Sequence, residues 1–253
     1  MLYIIGLGLS DEKDISVRGL EIVRSCEKIY LENYTSLLKT NKEKLEELYG
    51  KEVEISTRNI LEKTDLILEE AKDKDVALLV IGTPLFATTH TDIILRGKEK
   101  NVKIEIIHNS SIMNVMGCCG LFSYSFGRTV SIPYFTETWK PTSFYEKIYE
   151  NFSNKLHTLC LLDLRVDEKE EKYMQPNIAI DQILESENIL KLNFLNLDSE
   201  IFVVSRFGCP DQNIIFGKIR DILMMSHGNP LHSLIIPSKM EIIEKEHVTA
   251  LFG

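Results

Sequence analysis

Val76-Ala77-Leu78-Leu79-Val80-Ile81-Gly82-Thr83-Pro84-Leu85-Phe86-Ala87-Thr88-Thr89-His90 is the stretch on which the fold turns. Six apolar residues run without a break into a Gly-x-Pro turn, and a helical pattern from Thr91 to Lys100 follows at once. A short, uniformly apolar run bounded by Gly and Pro predicts a strand buried on both faces. In open α/β sheets ligands bind just beyond the carboxyl ends of strands, so the turn itself is a candidate site.

Outward from this stretch the pattern repeats. Leu2–Ile5 predicts a first strand running into Gly6-Leu7-Gly8-Leu9-Ser10, and 14–25 a helix with Ser16 as a plausible N-cap. Lys28–Glu32 reads as a short strand, 41–49 as a helix, 52–56 as extended chain and 60–72 as one amphipathic helix. Val102–Ile107 is a further strand, ending at His108-Asn109-Ser110-Ser111, and Ile112 to Cys119 restarts a helix. Such alternation predicts a parallel sheet with helices on both faces and right-handed crossovers. The second half differs. It offers strands over 127–132, 156–164, 201–206, 212–219 and 233–236, helices over 144–154 and 176–187, and a polar loop over 169–173. The first turn of the later helix carries Pro176. This predicts a mixed α+β domain. The boundary falls near 121–133, giving an N-terminal domain 1–125 and a C-terminal domain 126–253.

The 253 residues carry a net charge of −9, with 44% hydrophobic and 26% charged residues, the balance of an ordinary soluble globular chain. Basic residues are interleaved with acids, as over 39–51, so no Lys/Arg stripe marks a nucleic-acid binder. No run approaches the roughly 18 apolar residues of a membrane span, and the apolar N-terminus has no basic leader region. A soluble, cytoplasmic protein is expected. The five cysteines, Cys26, Cys118, Cys119, Cys160 and Cys209, form no CxxC pair and are expected to be free, buried thiols.

Most catalytic signatures are missing. Gly6-x-Gly8 lacks the third glycine of a dinucleotide fingerprint, with Asp11 in its place, and Glu32 is the sole acid near the position of the ribose ligand. The two glycines still let backbone approach a ligand closely. There is no P-loop, no Gly-x-Ser-x-Gly elbow and no Cys/His metal pattern. Ser110-Ser111 has no evident His/Asp partner. His90 reads first as a helix-start or backbone-bonding histidine, with substrate contact as the alternative, and His232 as a structural histidine.

Several segments together resemble the diphthine synthase family. They are Leu2–Leu9 with Asp11–Glu21, Glu32-Asn33-Tyr34-Thr35-Ser36-Leu37, Pro84–His90, Ser111-Ile112 and Trp139-Lys140-Pro141-Thr142-Ser143. Leu156–Leu159 with Leu162-Asp163, and Ser205-Arg206, extend the match over residues 2 to about 248. The resemblance implies the tetrapyrrole methylase fold: two α/β domains, S-adenosylmethionine in the cleft between them, and a homodimer. It implies methylation of the amino group of a 3-amino-3-carboxypropyl histidine on translation elongation factor 2. Members of eukaryotic type add a further methyl as an ester on the carboxylate. Carried over by position, the donor contacts are Leu9, Thr83, Phe86, Ser111, Ile112, Leu162, Phe207 and His232. Thr88, Thr89 and His90 are candidates for the acceptor side, and no single general base is assigned. One departure stands out: relatives commonly have Gly-Asp-Pro where this chain has Gly82-Thr83-Pro84, so a carboxylate expected at the donor site is replaced by a hydroxyl.

Methyl transfer from a sulfonium chiefly requires holding donor and acceptor in line, which accounts for the lack of a triad or metal set. Two alternatives remain open. One is a small-molecule methylase of the same fold acting on a tetrapyrrole, against which the Tyr34-Thr35-Ser36 and Trp139–Ser143 segments argue. The other is a non-catalytic module that binds donor or elongation factor, for which Thr83 is the support.

Overall fold

The computed structural model describes every residue except 33, 35, 37 and 167–170. The resemblance segment at Asn33, Thr35 and Leu37, and the start of the 169–173 loop, therefore lie outside the described residues. The chain forms two compact bodies: Met1–Ile112 with Arg165–Glu171, and Met113–Leu164 with Lys172–Gly253. The division after Ile112 precedes the boundary expected at 125. Residues 113–125 go with the second body, where Phe122 N–H donates to the Glu244 carboxylate at 2.8 Å.

In the first body β1 (Leu2–Gly6), β2 (Lys28–Glu32), β3 (Glu54–Ser56), β4 (Val76–Val80) and β5 (Ile104–Ile107) form one sheet in the order β3-β2-β4-β1-β5. Every pairing is parallel. Side chains alternate between its faces because a strand repeats every two residues. Leu2, Ile4, Val76, Leu78 and Val80 pack with Leu61, Ile67, Leu68 and Ile93. Ile5, Ala77 and Leu79 pack on the opposite side with Val23, Leu45 and Tyr49. One face is thus covered by α1 (Val17–Ser25) and α2 (Lys42–Tyr49), the other by α3 (Arg58–Lys63), α4 (Leu66–Asp73) and α5 (His90–Glu99). The parallel sheet covered on both faces is the arrangement the alternating pattern predicts.

Local chemistry sets the helix boundaries. The hydroxyl of Ser16 accepts Gly19 N–H at 3.1 Å, so Ser16 is the N-cap expected of it. The single helix expected over 60–72 is two helices. Thr64 Oγ1 turns back to Ile60 O at 2.8 Å, and Arg96 of α5 takes the Thr64 carbonyl and the Asp65 carboxylate, each at 2.8 Å. A distant guanidinium thus occupies the groups that would have continued the helix. Beyond β5, the stretch expected to be helical through Cys119 is a 3₁₀ segment, Ile112–Gly117.

The second body contains β6 (Val130–Ile132), α6 (Ser143–Ser153), β7 (Thr158–Leu162), β8 (Leu164–Arg165, its last residue in the first body), β9 (Lys172–Tyr173) and α7 (Pro176–Leu190). It continues with β10 (Glu200–Ser205), β11 (Asn213–Lys218), α8 (Ile219–Ile222), β12 (His232–Ile236) and α9 (Ile242–Phe252). Its five-stranded sheet has the order β11-β10-β12-β7-β6, antiparallel except for β6 with β7. The long strand expected over 156–164 ends at Leu162, where the Asp163 carboxylate turns aside to accept Tyr134 N–H at 3.1 Å. α9 has no counterpart in the sequence reading.

Candidate functional site

Adjacent strands β1 and β4 send their connections to opposite faces, since α1 lies on one side of the sheet and α5 on the other. Their carboxyl ends therefore form the topological switch point at which open parallel sheets bind ligands. Two loops meet there. Leu7 N–H donates to Val80 O at 2.8 Å, Gly8 N–H to Gly82 O at 3.1 Å, and Gly82 N–H to Gly8 O at 2.7 Å. A Cβ on Gly6 would lie 2.6 Å from Gly82 O, so the first glycine serves the approach of loop to loop. Gly8 and Gly82 have φ of 82° and 78°, the left-handed region that glycine enters without strain.

Asn109, just beyond β5, ties these loops together. Its Nδ2 donates to Gly6 O and to Asp14 O, both at 2.9 Å. Its backbone N–H donates to Thr83 Oγ1 at 3.0 Å. Asp14 completes the stitch, with Oδ2 accepting Leu9 N–H at 3.0 Å and Ser10 N–H at 2.7 Å. Neither Asn109 nor Asp14 was among the sequence candidates. The sequence signal was the polar quartet ending a strand, and its partners are remote along the chain. Thr83 is buried, and its hydroxyl oxygen is engaged inside the loop network.

The turn after Pro84 is unusual. Leu85 and Ala87, neither of them glycine, have φ of 72° and 52°. They present two apolar side chains outward, Leu85 at 42% and Phe86 at 49% exposure. An exposed aromatic on a fixed turn at a switch point suits the apolar part of a ligand. Ser111 is buried close by, a Cβ on Gly82 falling 3.8 Å from Ser111 Cβ, and Ile112 opens the 3₁₀ segment. The first body thus gathers Leu9, Thr83, Phe86, Ser111 and Ile112 around these strand ends.

His90 is elsewhere in function. It is 1% exposed and bonded on both ring nitrogens, Nε2 to Glu32 Oε2 at 2.6 Å and Nδ1 to Thr88 Oγ1 at 2.8 Å. Thr89 is exposed and donates to Glu62 at 2.9 Å, and Thr88 is half-buried beside the His90 ring. Glu32 is the partner of a histidine rather than a ribose ligand. The bonding reading of His90 therefore describes its place better than substrate contact does.

In the second body, Leu162 ends β7 against the apolar core, and Phe207 follows Arg206 in the turn between β10 and β11. His232 begins β12. It is buried, and its Nδ1 shares a hydrogen bond with Ser205 Oγ at 2.8 Å. Burial, then the charge of Arg206 and the neighbouring His227, push its pKa down to about 4. Arg206 braces the adjoining loop, donating to His227 O at 3.1 Å and Asn229 O at 2.6 Å. Cys118 is exposed, against the expectation of buried thiols, and Cys209 is half-buried, whereas Cys26, Cys119 and Cys160 are buried. Among the described residues no three His, Cys, Asp or Glu side chains gather as a metal set, and no helix is long and apolar enough to cross a membrane.

The family model for tetrapyrrole (corrin/porphyrin) methylases matches residues 1–223. The chain belongs to that family. A diphthine methyl ester synthase of Dictyostelium discoideum is 44% identical, covering 98% of this chain and 96% of the relative. The human diphthine methyl ester synthase is 43% identical, covering 96% and 94%. A crystal structure of a diphthine synthase superimposes with a TM-score of 0.89 at 32% identity, covering 99% of this chain and 95% of that one. Within the family the chain therefore stands with the diphthine methyl ester synthases, and it is a methyltransferase.

Proposed function

We propose that the chain uses S-adenosylmethionine to methylate the amino group and the carboxylate of the 3-amino-3-carboxypropyl histidine of elongation factor 2. Its setting in this reading is a cytoplasmic homodimer. The observation that carries the reading is the exposed Phe86 held on a left-handed turn at the switch point, beside glycines that leave main-chain groups unobstructed. The words "methyl ester" in the names of the relatives support a carboxylate acceptor.

The residues fit the donor. Phe86, Leu9, Ile112 and Leu162 offer apolar surface for an adenine and a thioether, and Ser111 and the strand-end amides offer polarity for an amino acid moiety. Phe207 and His232 complete the proposed contacts from the second body. The bound donor supplies an activated methyl on a positively charged sulfur. The protein's part is to hold it: Asn109 and Asp14 fix the two loops, and Gly6 keeps them close. A carboxylate attacks in the form it has at neutral pH. An amine must first lose its proton, which partial desolvation favours. Thr83 supplies a hydroxyl already used to anchor Asn109, so in this chain the position serves loop geometry in place of charge.

The test is incubation with labelled donor and either elongation factor bearing the precursor histidine or a porphyrinoid. Label on the factor supports the proposal; label on the porphyrinoid alone, or donor binding without transfer, refutes it.

A further inference from the structure

Leu85 and Ala87 hold a backbone conformation that L residues rarely adopt, so the surrounding structure must impose it. The constraint lies directly beneath. Thr88 Oγ1 accepts His90 N–H at 3.4 Å and lies 2.8 Å from His90 Nδ1. Leu85 N–H points at the same Nδ1 from 3.5 Å. A backbone N–H aimed at Nδ1 makes that nitrogen an acceptor, which assigns the Thr88 hydroxyl as its second donor and the ring proton to Nε2, facing Glu32 Oε2 at 2.6 Å. Both side chains are 1% exposed. Glu32 is the last residue of β2, where it pairs with Ser56 of β3, so its position is fixed by the sheet.

We infer that Glu32, His90 and Thr88 form a positioning relay that holds the Leu85–Ala87 turn in its donor-receiving shape. None of the three is a catalytic residue. They act through Phe86 and the main chain of the turn. The inference rests on the proposed reading that Phe86 contacts the methyl donor. Its consequence is quantitative. When the relay is cut, the turn samples other conformations, and apparent affinity falls in proportion to the fraction still competent. A turn competent one-tenth of the time binds donor about tenfold more weakly.

The test uses the full chain, with S-adenosylhomocysteine as the calorimetric probe and steady-state methyl transfer alongside. Thr88→Val keeps volume and removes the hydroxyl. Glu32→Leu removes the acceptor, and Glu32→Gln restores an oxygen. Phe86→Ala reports on the turn's own contact. The relay predicts that Phe86→Ala, Thr88→Val and Glu32→Leu each raise the probe Kd about tenfold, with the loss in KM and with kcat within about twofold. Glu32→Gln should recover most of the affinity. Long-range nitrogen–proton spectra should show His90 protonated at Nε2. If Phe86→Ala weakens binding while Thr88→Val and Glu32→Leu match the wild type, the relay is wrong and the donor reading stands. If Phe86→Ala binds as tightly as the wild type, both are wrong. Should Glu32→Leu fail to fold, Thr88→Val and the imidazole spectrum decide, and a proton on Nδ1 overturns the relay.

Discussion

Replacing Gly6 with alanine tests the loop junction with one carbon. The new Cβ would stand 2.6 Å from Gly82 O, 2.9 Å from Asn109 Cβ and 3.1 Å from Pro84 Cδ. The closest of these is backbone, and Asn109 is tied to both loops, so no flexible side-chain end can swing clear. Relief requires the two loops to part, which stretches the paired Gly8–Gly82 hydrogen bonds and the Asn109 contacts. Overpacking with the loss of one or two such bonds costs about 2–4 kcal/mol. Gly50→Ala is the control. Gly50, unlike Gly6, has a left-handed φ, 69°, and nothing lies within 4 Å of a Cβ there. The cost at Gly50 is the backbone penalty alone, about 1 kcal/mol. Chemical denaturation gives the global cost, and amide exchange at Gly8 and Gly82 gives the local one. Gly6→Ala should also weaken donor binding at least tenfold, or about 1.4 kcal/mol. A Gly6→Ala protein within about 0.5 kcal/mol of wild type, or one no worse than Gly50→Ala, would refute the account of a junction closed to side chains.

Three further outcomes follow from the second body and the thiols. His232 has a folded pKa of about 4 against an ordinary 6.5, so the unfolded chain takes up its proton first as pH falls. Stability should therefore drop between pH 6.5 and about 4, by about 3 kcal/mol for this residue, and a His232→Gln protein should show a flatter slope in pH-dependent denaturation. Glu244, buried at the start of α9, accepts from Phe122 N–H at 2.8 Å, His157 Nε2 at 3.0 Å and Glu241 N–H at 2.8 Å. Burial opposes its charge, but these donors outweigh it and hold the carboxyl below its ordinary range, so its contribution is present at neutral pH and lost in acid. Glu244→Ala should cost about 3 kcal/mol and speed hydrogen exchange across α9, and unchanged exchange would contradict this role. Cys118 should react first with an alkylating reagent and Cys160 only on unfolding, since burial pushes the Cys160 thiol far up, and mass mapping of labelled peptides reads the order.

Much of the first body was legible because its signals are local. The apolar run of β4 has no polar face to confuse its period, Gly82 and Pro84 mark its end, and Ser16 caps α1 from within its own sequence. The strands expected over 201–206 and 212–219 are β10 and β11, a short Gly-Pro turn apart. What escaped depends on partners far apart in the chain. The break between α3 and α4 is made by Arg96, the place of His90 by Glu32, and the closure of the loops by Asn109. α9 was missed for a different reason: Ile242, Ile243 and Leu251 are exposed while Val248 is buried, so its apolar residues trace no single face. Its Glu241-x-x-Glu244 capping box was present in the sequence and is formed in the structure. The fate of Thr83 was invisible in principle, because only the fold shows that its hydroxyl faces Asn109.

Methyl transfer to both the amino and the carboxylate group of one modified histidine is read by mass spectrometry of the elongation-factor peptide. After reaction with S-adenosylmethionine the peptide should gain methyl groups in successive steps, one of which is removed by mild alkali as an ester while those on nitrogen persist. A peptide that stays unmethylated at saturating donor, or one whose methyl groups all survive alkali, would contradict it.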